Sequence, residues 1–339
     1  MDRILITGSA GFIGYHLTKS LLDNGFEVLG IDNLNDYYDV NLKYARLKEL
    51  GIHLPSSITH HTSTINRHPS STYKNFSFSK LDIADRVSLI QSFQSFMPNK
   101  VINLAAQAGV RYSLENPYAY MDSNLVGFLN ILELCRHNEV EGLIYASSSS
   151  VYGGNEKIPF GVEDQVDQPI SLYAASKRSN ELMAYSYSHL YDLNTTGLRY
   201  FTVYGPWGRP DMAMFIFTRK ISNGEPIPVF NYGKMKRDFT YIDDIIAGTR
   251  AAIDKNYPCD VFNLGNHKSE ELMDVVRLIE EKLGKKAEIE FLPMQLGDIP
   301  ESFADIDKST EMLGYKPTTN VDVGIGKFVE WYKEYHRNT

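Results

Sequence analysis

Through the first 200 residues, short apolar runs alternate with helical patterns, and this rhythm restricts the fold more than any other feature of the chain. The runs at 3–7 (RILIT), 27–31 (EVLGI), 76–81 (FSFSKL), 100–105 (KVINLA), 143–147 (LIYAS) and 195–201 (TTGLRYF) read as strands. VINLA and LIYA lack the every-second-residue alternation of a half-exposed strand, so both faces of those strands must be covered. Helical patterns lie between them, the longest over 117–138 and 171–191. Strand and helix in strict succession predict an α/β chain built on a doubly wound parallel sheet. After about residue 205 proline and glycine become frequent, and short strands mix with helices over 243–254, 269–283 and 322–336. The predicted division is therefore 1–204 and 205–339, the latter a smaller mixed α/β region with some segments returning to the first.

The first strand runs into "ILITGSAGFIGYHL", which sets Gly8, Gly11 and Gly14 at a strand-to-helix junction. Glycines there allow a tight turn and let backbone N–H groups approach a pyrophosphate at a helix N-terminus. The G-x-x-G-x-x-G spacing is one residue longer than the dehydrogenase fingerprint. The second strand leads into Asp32, an acid placed to accept from adenosine ribose hydroxyls and to repel a 2′-phosphate, which favours NAD over NADP. Asp82, after the third strand, is a candidate partner for the adenine amino group. The small residues of "NLAAQAG", with Leu104, Ala105 and Ala106, let a backbone lie close to the cofactor after the fourth strand.

Composition narrows the partners. A net charge of −8 disfavours nucleic-acid binding through bulk phosphate attraction. The two cysteines, Cys135 and Cys259, read as buried thiols of a reducing, cytoplasmic compartment. "MDRILITG" has neither signal-peptide nor anchor character, and no later segment has the ~18 apolar residues of a membrane span. The polar stretch 51–75 reads as a loop or helix-flanking insertion. Its His53, His60, His61 and His68 have no carboxylate or cysteine at ligand spacing, so no metal site is expected.

"SLYAASK" carries Tyr173 and Lys177 four residues apart on one helix face. A tyrosine at its ordinary pKa of about 10 is a poor base. A neighbouring ammonium and a cationic nicotinamide both stabilise its phenolate. The four serines Ser147 to Ser150 end the fifth strand, and a hydroxyl there could hold a substrate alcohol. With the glycine turn upstream, these groups specify removal of an alcohol proton with hydride passing to NAD.

Gly8-x-x-Gly11-x-x-Gly14, Asn103-Leu104-Ala105-Ala106, the serine run and Tyr173-x-x-x-Lys177 resemble the extended short-chain dehydrogenase/reductase family of nucleotide-sugar epimerases and dehydratases. The likeness covers nearly the whole chain and implies a Rossmann-type sheet, a tightly held NAD regenerated each cycle, and a UDP-sugar or dTDP-sugar substrate. It adds Phe12, Ile13, Asn33, Ile83 and Tyr200 to the cofactor contacts and makes Tyr173 and Lys177 both catalytic and cofactor-binding. The catalytic hydroxyl it implies is Ser148. Sugar dehydratases of the family carry Asp and Glu at the next two positions, and UDP-glucuronate decarboxylases carry a glutamate before the valine. Ser149 and Ser150 stand there in this chain. Without those carboxylates elimination lacks its acid/base pair, and hydroxyls can donate to a substrate carboxylate instead.

The segment "FTVYGPWGRPDMAMF", with Thr202, Trp207, Arg209 and Met212, and "QAGVRYS" look like the UDP-glucuronate 4-epimerases of that family. The resemblance implies Thr202 as a further donor to a uronate, Arg209 and Arg237 as diphosphate ligands, Asp298 at the uridine ribose and Val229 against the uracil. Leu296 departs from the proline that relatives carry before "GD". Arg111 stays open between a ligand and a solvated arginine. The reaction so implied is C4 epimerisation of UDP-glucuronate to UDP-galacturonate through a 4-keto intermediate. The alternatives are a UDP-glucose or UDP-N-acetylhexosamine 4-epimerase, then a UDP-glucuronate decarboxylase. A non-catalytic NAD-binding relative would ordinarily lack the tyrosine or lysine, and both are present. Apolar residues on more than one face of the helices at 117–138 and 171–191 suggest a homodimer through a four-helix interface.

Overall fold

The computed structural model describes residues 2–54 and 66–337. By internal contacts the chain forms two compact units. One comprises Met1–Ser147, Ser171–Leu198 and Thr249–Val261, and the other Ser148–Ile170, Arg199–Gly248 and Phe262–Thr339.

The first unit is organised by one eight-stranded sheet. Its strands are β1 (Arg3–Thr7), β2 (Glu27–Asp32), β3 (His68–Pro69), β4 (Phe76–Lys80), β5 (Lys100–Asn103), β6 (Gly142–Ser148), β7 (Thr195–Tyr200) and β8 (Cys259–Leu264). They lie in the order β8-β7-β6-β5-β1-β2-β4-β3. β5, β1, β2 and β4 pair in parallel, as does β6 with β5, while the short β3 runs antiparallel on the edge. This is the Rossmann-type parallel sheet expected from the strand–helix rhythm. Leu5, Leu29, Val101 and Leu143 are buried with Leu89 and Phe93 of helix Arg86–Phe96 and Phe128, Ile131 and Leu132 of helix Phe128–His137. The second unit is mixed α/β. Thr202–Tyr204 pairs with Phe239–Tyr241, and Ile227–Val229 with Ile289–Phe291, both in parallel. Helices Ala213–Asn223 and Val321–Arg337 pack aromatic edges, with Phe215 5.4 Å from Tyr332 between ring centroids.

Three local expectations change. The helical pattern at 117–138 is broken into Pro117–Tyr120, a π-helical turn at Met121–Gly127, and Phe128–His137. Gly127 lies against Ile83, and a Cβ there would come within 2.6 Å of that side chain. Cys135 is buried, but Cys259 is exposed, because it opens edge strand β8. Of the polar stretch, His68–Pro69 is strand rather than loop, and residues 55–65 with His60 and His61 lie outside the described residues.

Candidate active site

The turn after β1 has the form of a phosphate cradle. Gly8 has a φ of +73°, and a Cβ on it would stand 2.7 Å from the Ala105 nitrogen. A Cβ on Gly14 would stand 2.0 Å from the Gly8 carbonyl oxygen. Only glycine fits at either place. Gly11 begins helix Phe12–Asp23 with no side-chain cap, so the backbone donors and dipole of its first turn suit an anion. Phe12 and Gly14 are buried within that turn, and Ile13 is half-buried.

At the end of β2, Asp32 is almost fully buried and accepts from the Ala10 N–H at 3.2 Å and the Leu34 N–H at 2.9 Å. Lys43, also buried, brings its ammonium to 3.9 Å from the same carboxylate while donating to the backbone and side-chain oxygens of Asn35. Asn33 donates to Asp82 at 2.9 Å, and Ile83 is buried beside them. Thr7 donates to Asn103 at 2.7 Å and accepts from the Ala105 N–H at 3.2 Å, which sets Leu104, Ala105 and Ala106 beside the glycine turn. The structure therefore brings the expected cofactor residues that end or follow β1, β2, β4 and β5 to the carboxyl ends of neighbouring strands. The glycine turn at Gly8 to Gly14, with the buried acid Asp32 beside it, is chemically suited to a dinucleotide.

Tyr173 and Lys177 share a face of helix Leu172–Tyr191, which Ser171 caps by accepting from the Ala174 N–H. The Lys177 ammonium donates to the Ala146 carbonyl at 2.8 Å. Burial pushes its pKa down to about 8. The four serines are not equivalent. Ser147 turns into the first unit, where its hydroxyl donates to buried Glu181 at 2.6 Å. Ser148 caps the short turn Ser149–Tyr152 by accepting from the Ser150 N–H, and its hydroxyl donates to the Ser150 hydroxyl, each at 3.1 Å. Ser149 and Ser150 are half-buried.

The remaining expected residues lie in the second unit. Tyr200 is buried at the end of β7, and Thr202 donates its N–H to the Asp238 carbonyl. Arg209 forks onto Asp211 through both its Nε and Nη2. Arg237 donates to the carbonyls of Lys236 and Pro300, which holds it beside the segment carrying Asp298. The Val229 side chain is fully buried in a strand paired with Ile289–Phe291. Asp238, next to Arg237, has a buried carboxylate that accepts from Thr240, Asn266 and Ala304; its pKa is raised by burial against the pull of those donors.

Asn124 was not foreseen. Its buried amide accepts from the Gln107 N–H at 2.8 Å and donates to the Gln107 carbonyl and to Ser176 on the Tyr173 helix. It thereby ties the loop after β5 to the helix bearing Tyr173. An asparagine inside an apolar helical pattern is disfavoured and was the available signal. Among the described residues no group of three metal-ligating side chains occurs, and no helix is long and apolar enough to cross a membrane.

Comparison with known proteins gives the chain's family. The model of the NAD dependent epimerase/dehydratase family matches residues 4–265. A probable UDP-glucuronate 4-epimerase of Rhizobium meliloti is 44% identical, covering 99% of this chain and 98% of its own. The crystal structure of UDP-glucuronic acid 4-epimerase from Bacillus cereus, in complex with UDP-glucuronic acid and NAD, superposes with a TM-score of 0.87 at 33% identity, covering 98% of this chain and 99% of that one. UDP-glucose 4-epimerase of Thermotoga maritima, with UDP-glucose, gives a TM-score of 0.85 at 30% identity over 98% of this chain and 99% of that one.

Proposed function

The chain belongs to the NAD dependent epimerase/dehydratase family, and from that premise we propose that it inverts C4 of a UDP-sugar, interconverting UDP-glucuronate and UDP-galacturonate through a 4-keto intermediate. Nucleotide-sugar 4-epimerase activity is its family-level activity. The absence of a carboxylate at residues 148–150, at the end of β6, supports epimerisation over elimination and tolerates a uronate, and the uronate specificity rests on the pattern of Thr202, Trp207, Arg209 and Met212.

In this scheme Tyr173 takes the proton of the sugar 4-OH, and Ser148 donates to the same oxygen. Lys177, held by Ala146, keeps the Tyr173 phenolate accessible through its positive charge. NAD, when bound, supplies the acceptor and then the donor of the C4 hydride, so no net redox change occurs. Ser149, Ser150 and Thr202 donate to the uronate. They hold its breaking C–C bond out of line with the neighbouring ketone, which opposes loss of carbon dioxide. Arg209 and Arg237 bind the diphosphate and Asp298 the uridine ribose, whereas Val229, fully buried, has no surface to offer the uracil. Steady-state turnover of UDP-glucuronate and UDP-glucose in parallel tests the specificity: kcat/KM should favour the uronate, and preference for the neutral sugar would leave only the coarser activity.

Exposed Leu129, Leu182, Tyr185 and Leu190 on helices Phe128–His137 and Leu172–Tyr191 support a homodimer packed through these two helices from each copy. Sedimentation should give the dimer mass, and a monomer at micromolar concentration would oppose it.

A further inference from the structure

β1 lies between β5 and β2, so any contact joining the loop after β2 to the loop after β5 must pass across the end of β1, where the glycine turn sits. Such a contact exists. Tyr37, in the loop after β2, packs its ring 4.9 Å from that of Tyr112, which follows the loop after β5, at an interplanar angle of 51°. The approach is built into the backbone. The Tyr37 hydroxyl stands 2.4 Å from where a Cβ of residue 109 would be, and Gly109 has a φ of +101°.

Both sides of this bridge are anchored. On the β5 side, the Tyr120 hydroxyl donates to the carbonyls of Ala108 and Gly109, and Asn124 holds Gln107. On the β2 side, Asp32 accepts from Leu34, and Lys43 donates to Asn35. Fully buried Arg46 donates to the Tyr38 hydroxyl at 2.8 Å and to the Ala10 carbonyl at 2.9 Å, coupling this loop to the glycine turn itself.

We propose that Tyr37 and Tyr112 form a clasp across the cofactor's diphosphate site, and that opening of this aromatic contact sets the rate at which the dinucleotide leaves. The proposal rests on the NAD reading and extends it from which groups bind the cofactor to what retains it. An enzyme that returns its hydride in every cycle has no need to exchange cofactor, and a strap over the diphosphate suits that economy.

The test is the rate of NAD loss from the purified full-length chain loaded with NAD, followed by dilution and assay of the retained nucleotide after denaturation. Tyr37→Ala and Tyr112→Leu should each speed loss by about tenfold, the scale of one aromatic pair. Tyr37→Phe, which keeps the ring, should retain NAD like the wild type. Gly109→Ala keeps both rings but drives a Cβ into the Tyr37 hydroxyl; it should speed loss as well, and provides a second route should a ring deletion fail to fold. Folded variants that lose NAD no faster than wild type overturn the clasp alone. A wild-type chain that neither co-purifies with NAD nor takes it up overturns the cofactor reading, and the clasp with it.

Discussion

Ser147 and Glu181 meet in a 2.6 Å hydrogen bond, both nearly inaccessible to solvent. Arg178 pairs with the other oxygen of Glu181 at 2.9 Å. With the Lys177 bond to Ala146, this pins the helix of Tyr173 to the last residues of β6 at two successive turns. Ser147→Ala removes a hydrogen bond to a buried carboxylate and should cost about 1.5–3 kcal/mol, the scale of a hydrogen bond to a charged group. Urea unfolding measures it, and a loss below a few tenths would mean the bond is replaced by water.

Tyr173→Phe removes the proposed base and keeps the ring. Turnover should fall by about 10²–10⁴-fold while NAD content stays at the wild-type level. Retained nucleotide and progress curves on the same preparation check both halves, and near-normal turnover would remove Tyr173 from the chemistry.

Lys177 gives two pH dependences of opposite sense. Its folded pKa, about 8, lies below its ordinary 10.5, so between these values the unfolded chain binds more protons and the Lys177 contribution to stability rises with pH. Turnover should fall across the lower part of that window, because the ammonium supporting Tyr173 is lost near pH 8. Lys177→Met should abolish the stability slope there and leave little activity; an unchanged alkaline limb would assign it to another group.

Ser150→Glu restores a carboxylate at the end of β6. Like charges placed against one another cost several kcal/mol, so kcat/KM for UDP-glucuronate should drop by at least about tenfold relative to UDP-glucose. Equal losses on both substrates would indicate distortion of the turn capped by Ser148 rather than repulsion.

The parts of the site written in local sequence were legible. Gly8, Gly11 and Gly14 declare a turn, Asp32 ends its strand, and Tyr173 and Lys177 share a helix face by spacing alone. Groups whose role depends on distant backbone were not. Asn124 works through Gln107 and Ser176, Arg46 through Ala10, and Tyr37 through Gly109, none marked by local periodicity. The serine run alone does not show that the fold turns Ser147 onto Glu181 while Ser148 caps a turn, because both contacts depend on residues outside the run or on its local backbone. Cys259 was misjudged because apolar neighbours do not reveal that a residue opens an edge strand.

Incubating the purified chain with UDP-glucuronate, without added NAD, and identifying the product by proton NMR tests the account most directly. The expected product is UDP-galacturonate, formed by an enzyme that carries its own cofactor. A UDP-pentose with released carbon dioxide would contradict the protective role of Ser149, Ser150 and Thr202, and no reaction alongside conversion of UDP-glucose would contradict the uronate assignment.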